Sequence, residues 1–189
     1  MTSEQLALAL STQKTDDLNL GEAVQLLGFA TAEQVTAAVA AQWSCPVFAL
    51  GGRSLLLPIR VPRRLLEQYE LLPVHYAKGD RRLTVGFVSR VEYQILSTIE
   101  TITGCDAAPC FITSQDYRRQ LEATACVTSE NEIIFDRPMP GVEIARLGRN
   151  YVSQLGATDT RFGMCREYLW IRIWGRQQET DLLFRIQQD

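Results

Sequence analysis

Residues 2–13, TSEQLALALSTQ, are echoed at residues 31–42 by TAEQVTAAVAAQ, and this pair of blocks sets the fold expected at the front of the chain. A repeat of this kind indicates duplicated supersecondary units. Each block opens on a threonine that is followed three residues later by a glutamine, the pattern of a capping box at a helix N-terminus. We therefore predict one helix from each block.

The two blocks also place matching residues on one face of each predicted helix. The positions at i, i+4 and i+7 are Leu6, Leu10 and Gln13 in the first block and Val35, Val39 and Gln42 in the second. Packing of two amphipathic helices would explain the apolar positions, but not a glutamine kept at the end of both stripes. A matched polar group on a buried stripe suggests a shared hydrogen-bonding task for Gln13 and Gln42.

A third helix is predicted between the two blocks. Its apolar stripe, again at i, i+4 and i+7, consists of Leu20, Val24 and Leu27. Gly28 suits the left-handed position that ends a helix. Gly21 in the first turn costs about 1 kcal/mol of helix stability relative to alanine, but its missing side chain lets another group approach the backbone. Residues 1–45 are thus interpreted as a three-helix element.

The composition excludes some classes of function. The chain has 189 residues, 46% of them hydrophobic, which is enough to bury a core in one domain or two small ones. Its net charge of −3 and pI near 5.3 lack the basic footprint of a protein that binds nucleic acid or an anionic membrane. Almost all the positive charge is arginine, which suits interdomain salt bridges as well as carboxylate or phosphate binding.

The cysteines and the single histidine are not spaced as in a metal site. The cysteines are odd in number and contain no CxxC pair: Cys45, Cys105, Cys110, Cys126 and Cys165. We expect buried, reduced thiols in a cytosolic protein, without a disulfide framework or zinc. The only histidine, His75, is expected to be a partly buried structural residue on a strand. The sequence has no run of about 18 apolar residues and no signal peptide, so we expect a soluble, cytoplasmic protein.

Apolar periodicity over residues 46–127 predicts the element order β-α-β-β-α-β-α, starting with a strand at 47–50. This is the order of a ferredoxin-like, split βαβ arrangement with one added helix. Ser89 and Glu92 form a further capping-box pattern, which predicts the start of the second helix of this region.

The polar segment 128–138 is predicted to be a linker. Residues 139–189 after it predict a helix that ends at Gly156 and then an antiparallel meander. The three strands of this meander are expected near 159–164, 167–174 and 181–186. A helix backed by antiparallel strands is a small α+β module, so we assign the whole chain to the α+β class.

In this order the parts resemble the N-terminal region of the ATPases that drive type II secretion and type IV pilus assembly. The tandem motif of that family has the form RLGxxLVxxGxIxxxxLxxALxxQ. Its second copy is matched by Leu20, Gly21, Val24, Gly28, Val35, Ala38, Val39 and Gln42. Residues 1–13 match only the tail of the first copy. Residues 46–125 look like the α/β subdomain that follows in the family, and Leu71-Leu72-Pro73 stands at its vlP strand.

The last part of the chain resembles the PAS-like domain that precedes the ATPase core in this family. The family sequence GASDIHIE corresponds to residues 156–162, GATDTRF, and VRYRIDG corresponds to residues 169–175, LWIRIWG. The resemblance therefore covers nearly the whole chain. It implies a helical element, an α/β subdomain and a PAS-like module.

The differences from the family determine the expected function. The family's motor needs a Walker A loop, GxxxxGK[ST], and neither lysine of the chain, Lys14 or Lys78, lies in one. In the PAS-like module Arg161 replaces a histidine, while Trp170 and Trp174 replace an arginine and an aspartate. There is also no GxSxG elbow of a serine hydrolase. We therefore expect no enzymatic activity.

In some members of the family the tandem motif binds cyclic di-GMP, with the arginine of each RLG at a guanine. The resemblance implies that such a ligand would lie against Gln13, Asn19, Leu20, Gly21, Val24, Gly28, Val35 and Gln42. Asn19 stands at the second arginine position, and the first RLG is missing. Asparagine cannot reproduce the stacking and bidentate hydrogen bonds of arginine. Helix packing by a decayed motif is therefore preferred over retained ligand binding.

Two patches are candidates for contact with a protein partner. Trp170, Arg172 and Trp174 share one strand face by period two, and such a face more often packs against another domain than binds a ligand. Arg63 and Arg64 form a short basic cluster. Its ordinary interpretation is a solvated helix face with salt bridges, and its functional interpretation is a docking surface for an acidic partner.

These observations predict a non-catalytic interaction or regulatory module without a bound cofactor. The partner implied by the resemblance is a platform protein of a secretion or pilus system, or a separate motor ATPase. The first alternative is a sensor that binds cyclic di-GMP or another nucleotide among the first three helices. The second alternative is an unrelated enzyme on a similar architecture.

Overall fold

A computed structural model describes residues 1–53, 55, 57–124, 131–176 and 178–187. Within these residues the chain forms seven helices and two sheets, one of three strands and one of four. Each sheet contains both parallel and antiparallel pairs, and helices pack against both of them. The predicted α+β class is confirmed.

The predicted three-helix element is present as α1 (Ser3–Asp16), α2 (Leu20–Leu26) and α3 (Ala32–Gln42). Both predicted capping boxes form. Thr2 Oγ1 accepts the N–H of Gln5 at 3.2 Å, and Gln5 Oε1 accepts the N–H of Thr2 at 2.8 Å. The same exchange caps α3.

The predicted buried stripe of α1 is wrong. Leu6 and Leu10 are 37% and 41% exposed, and Ala9 is the buried residue of this helix. The reason is that α1 packs mainly against α2, through a small residue, which leaves its leucines at the surface. Gln13 is half-buried and Gln42 is exposed. Neither side chain makes a hydrogen bond to any described residue, so the shared task predicted for them is not seen.

The middle of the chain forms a three-stranded sheet flanked by helices. Its elements are α4 (Arg63–Gln68), β1 (Leu71–Ala77), β2 (Arg82–Phe87), α5 (Tyr93–Thr103), β3 (Asp106–Phe111) and α6 (Ser114–Thr124). The predicted strand at 47–50 is reduced to one bridge, Val47 to Phe111. β1 and β2 are antiparallel, whereas β2 and β3 are parallel neighbours. The unit β2-α5-β3 is therefore not split by another strand, and the sheet differs in this respect from the predicted ferredoxin-like order.

The helix predicted to start at Ser89 starts at Tyr93 instead. Ser89 Oγ donates a hydrogen bond to Glu70 Oε2 at 2.7 Å, and the Glu92 carboxylate pairs with Arg166 at 2.9 Å. Both members of the predicted capping box thus bind distant residues, and that prediction is wrong.

The C-terminal part contains α7 and a four-stranded sheet. Its elements are β4 (Glu132–Met139), α7 (Gly141–Gln154), β5 (Asp159–Cys165), β6 (Tyr168–Trp174) and β7 (Glu179–Ile186), in the strand order β4-β7-β6-β5. The three strands predicted after α7 are confirmed to within two residues at each end. β4 lies in the segment predicted as a linker except for its last residue, Met139, and it pairs in parallel with β7. Residues 128–130 of that segment lie outside the described residues.

The C-terminal sheet packs one face on α5 and the other on α7. Trp170 and Leu183 belong to the same core as Ile95 and Ile99 of α5. On the opposite face, Ile144 of α7 belongs to a second buried cluster with Ile173, Leu182 and Phe184. α5 therefore lies between the two sheets. The predicted division into units at residues 45, 127 and 138 stays a prediction.

Candidate functional site

Asn19, at the position of the resembled motif's arginine, is the N-cap of α2. Its Oδ1 accepts the N–H of Glu22 at 2.9 Å, and a Glu22 carboxylate oxygen accepts the N–H of Asn19 at 3.0 Å. This exchange satisfies backbone donors that a helix N-terminus leaves unpaired. The side-chain carbonyl of Asn19 is thus already used in holding α2.

Gly21 lies where α2 closely approaches α3. A Cβ atom at this position would lie 2.8 Å from Val35 Cγ1, so the backbone of α2 has room for Val35 only because residue 21 is glycine. Val24, one turn further along α2, is buried, and Leu20 is half-buried. The group predicted to approach the backbone at Gly21 is therefore a side chain of the neighbouring helix.

The other predicted ligand residues lie at the edge of this contact. Gly28 is exposed with a φ of +69°, and a Cβ there would meet no atom within 4 Å. It ends α2 in the left-handed conformation, as predicted. Gln13 and Gln42 lie on α1 and at the last residue of α3. The structure thus brings Asn19, Gly21 and Val35 together at the α2–α3 contact.

Arg63 and Arg64 bind groups of the same chain. The Arg63 guanidinium donates to the Leu121 carbonyl at 3.1 Å and pairs with Glu67 at 2.8 Å. Arg64 Nε donates to the Tyr168 hydroxyl at 3.2 Å. The two arginines connect α4 to α6 and to the C-terminal sheet. Arg64 stays exposed, and the docking role of this cluster stays a prediction.

Two residues of the predicted patch on β6, Trp170 and Arg172, are buried. Trp170 is fully buried, and Arg172 forms a bidentate pair with Asp181, with both N···O distances at 2.8 Å. Trp170 Nε1 donates to Asp181 at 2.7 Å, and Arg172 also donates to the Arg60 carbonyl at 2.8 Å. These two residues are not accessible to a protein partner. Their contacts agree with the other interpretation given for this face, in which it packs against another part of the protein.

Trp174 differs from its neighbours on β6 because it is only half-buried. Its Nε1 donates to Glu179 at 3.0 Å, and the Arg161 guanidinium lies 5.2 Å from the ring centroid. The arginine that replaces the family's histidine is thus stacked on the tryptophan that replaces its aspartate.

Glu132 is a charged contact that the sequence does not predict. Both of its carboxylate oxygens lie 3.1 Å from the backbone N of Arg63, at the start of α4. Burial raises the pKa of Glu132 to about 7, and Asp181 adds to the rise, while the Arg63 backbone N–H and Arg172 oppose it. Glu132 lies in the segment interpreted as a linker, so no pattern pointed to it. Asp181 was detectable in principle, because it is the cross-strand partner of Arg172 in the β6–β7 hairpin.

The remaining reactive residues show no activated chemistry. Cys45, Cys105, Cys110 and Cys165 are free thiols, and Cys126 lies outside the described residues. Burial raises the pKa of Cys110 and of Cys165 to about 12, which keeps both thiols protonated. His75, expected to be partly buried, is exposed and stacks on Phe48 with ring centroids 6.4 Å apart.

The described part of the chain contains no group of three or more histidine, cysteine, aspartate or glutamate residues arranged to hold a metal ion. No helix in it has both the length and the apolar character needed to span a bilayer.

Comparison with known proteins identifies a solved structure with a similar fold. No protein-family model and no curated protein matches the chain. A solved structure of MshE with cdg (cyclic di-GMP) is similar, with 19% identity and a TM-score of 0.50, over 65% of this chain and 89% of that one. The N-terminal domain of XpsE is 19% identical with a TM-score of 0.41, over 65% of this chain and 85% of that one. The likeness to MshE shows a shared fold and supports the resemblance to an N-terminal domain of the GspE/MshE type.

Proposed function

We propose that this chain is a non-catalytic interaction or regulatory module that binds a protein partner of a secretion or pilus system. The proposal rests on the contacts made by the residues that were predicted to bind a ligand. Asn19 caps α2, and Gly21 receives Val35, so these positions hold helices together. The partner we propose is a platform component or a separate motor ATPase.

The three-helix element also presents apolar side chains that its own packing leaves uncovered. On α1 and α2 these are Leu6, Leu8, Leu10 and Leu26, of which Leu26 is 66% exposed. Leu6 and Leu10 lie one turn apart on the same side of α1, and neighbouring exposed apolar side chains mark sites of protein interaction more often than isolated ones do. This supports a protein partner that contacts the first two helices.

A cyclic di-GMP sensor is the second candidate function, favoured by the fold shared with MshE, which was solved with that ligand. The replacement of the motif's arginine counts against it. The carbonyl of Asn19 already accepts a backbone N–H in the cap, and asparagine lacks the stacking, bidentate guanidinium that arginine would offer a ligand.

Binding of purified platform and motor proteins to the immobilised full chain tests the proposal. We expect one of them to bind and Leu26→Glu to abolish that binding, because a charge would be desolvated at the contact. Val142→Glu is the matched control, since Val142 is also exposed but lies on α7. Failure of both proteins to bind would contradict the proposal.

Titration with labelled cyclic di-GMP separates the second candidate from the first. Asn19→Ser is the informative variant, because serine keeps the helix cap and removes the amide. Saturable micromolar binding by the natural chain, lost in Asn19→Ser at unchanged thermal stability, would replace the protein-binding proposal with a sensor. Gly21→Glu is unsuitable, since any side chain at residue 21 displaces Val35.

A further inference from the structure

The C-terminal sheet has a face that is only half covered. Four strands spaced about 4.8 Å apart are wider than one helix of about 10 Å diameter. α7 lies on this face, and a Cβ on its Gly148 would be 3.4 Å from Ile171 of β6. Phe162 and Met164, on the edge strand β5, are 66% and 49% exposed. The layer over the sheet therefore has room for a second helix beside α7.

This uncovered half forms an apolar groove of about 540 Å³ between α7 and β5. Among its lining residues are Ile144, Gly148, Phe162, Met164, Leu169 and Ile171. Arg149 is the only charged residue among the described lining residues. Its Nε donates to the Ala145 carbonyl at 3.2 Å, and no carboxylate of the described part of the chain pairs with it. The groove therefore suits an apolar helix with negative charge at one end.

α1 offers exposed leucines in its N-terminal half and a partial negative charge at its C-terminal end. α1 has 14 residues, as many as α7, and both are about 21 Å long. Leu6 and Leu10 lie one turn apart at its surface. Its last turn carries Lys14 as well as Asp16, and Asp17 follows as the C-cap, so this end keeps one net negative side-chain charge in addition to the partial negative charge of a helix C-terminus.

We propose that α1 of a second copy of this chain packs into the groove between α7 and β5. Leu6 and Leu10 of one copy contact Phe162 and Met164 of the next, and the acidic end of α1 lies beside Arg149. The contact joins two different surfaces, so it adds copies head to tail until a ring closes or a filament grows. This goes beyond the proposed function because it requires no other protein.

Edge-to-edge pairing of β5 with β5 of another copy fits the structure less well. α5 lies directly on the other face of β5, where a Cβ on Gly163 would be 2.6 Å from Thr98 Cγ2. Pairing two β5 strands at about 4.8 Å would bring two α5 helices closer than the 8–10 Å that packed helices need.

Sedimentation velocity of the full chain over micromolar to submillimolar concentrations tests the proposal. We expect self-association of the natural chain, and monomers for Leu10→Glu and for Phe162→Glu when each is measured alone. Mixing the two variants should restore a dimer, because Phe162→Glu keeps an intact α1 and Leu10→Glu keeps an intact groove. Val142→Glu, an exposed change elsewhere on α7, should associate like the natural chain.

The mixture distinguishes this interface from the alternatives. A natural chain that stays monomeric throughout would overturn the proposal. So would a mixture that stays monomeric, since an interface made of the same surface twice is not restored by combining the variants. Circular dichroism of each variant verifies the fold. The experiment contains no platform or motor protein, so its outcome is separate from that of the proposed function.

Discussion

Asn19 stands where the resembled motif has an arginine, and its side chain caps α2. The motif around it matches the resembled family at Leu20 and Gly21, but at residue 19 the arginine is replaced. Asparagine is among the best N-cap residues, because its short side chain reaches the N–H groups of the first turn. A helix-capping residue thus stands where, by the resemblance, some members of the family bring an arginine to a ligand.

Replacement of Asn19 by alanine should lower the free energy of unfolding by about 1 kcal/mol, because the first turn of α2 loses its acceptor. Denaturant unfolding followed by circular dichroism measures the change. Asn150→Ala on the exposed surface of α7 is the matched control and should have little effect. Equal stability of Asn19→Ala and the natural chain would show that the cap is not maintained in solution.

Helix-capping hydrogen bonds could be predicted where both partners are close in sequence. The boxes Thr2–Gln5 and Thr31–Gln34 formed as the spacing indicated. The Ser89 pattern failed because the hydroxyl donates to Glu70, which lies 19 residues away in the sequence. A capping pattern shows which hydrogen bonds a side chain can make to nearby backbone groups, but the side chain can bond to a distant carboxylate instead.

At the scale of elements, α5 and β5 form the contact on which the C-terminal sheet rests. Gly163 faces Thr98, whose Oγ1 donates to the Met164 carbonyl at 2.7 Å. The glycine permits this close approach, since a Cβ there would overlap the threonine methyl. The limits of β5 in the sequence cannot indicate this contact, because the contact depends on which helix packs against the strand.

Gly163→Ala should reduce the free energy of unfolding by about 1–3 kcal/mol through overpacking against Thr98. In the double variant Gly163→Ala/Thr98→Ala the cost should be less than the sum of the single costs, because the overlapping methyl is gone. Gly141→Ala, at an open position at the start of α7, is the control and should not destabilise. Strict additivity in thermal or denaturant unfolding would contradict the contact.

The strands after α7 were predictable because alternating residues repeat over whole strands. β4 was missed because its partner β7 is distant in sequence and because Asp136, Arg137 and Pro138 give it the composition of a loop. The buried stripe predicted for α1 was wrong because no element of the described part of the chain covers it. Periodicity indicates which residues share a face, but whether a partner covers that face is a tertiary property.

For the whole molecule, polar contacts join the C-terminal sheet to residues 60–63, at and just before the start of α4. Arg172, paired with Asp181, donates to the Arg60 carbonyl, and Glu132 of β4 accepts from the backbone N–H of Arg63. The candidate ligand positions could be located from the sequence because they belong to one motif. These contacts could not, because their members are up to 112 residues apart.

Glu132 makes the stability of this junction depend on pH. Burial raises its pKa to about 7, above the ordinary value of 4.5 that applies to the unfolded chain. Between these values the folded chain holds a proton that the unfolded chain releases, so folding is increasingly disfavoured as pH rises. The penalty is absent below about pH 4.5 and complete above about pH 8.

Glu132→Gln should therefore raise the melting temperature at pH 8 and change it little at pH 5, because glutamine imitates the protonated carboxyl and can still accept from Arg63. Thermal unfolding at intervals between these pH values measures the difference. Glu122→Gln, which removes an exposed carboxylate of α6, is the control for net charge. If Glu132→Gln instead lowers the melting temperature most at pH 8, then Arg63 and Arg172 outweigh burial and the ionised carboxylate stabilises the junction.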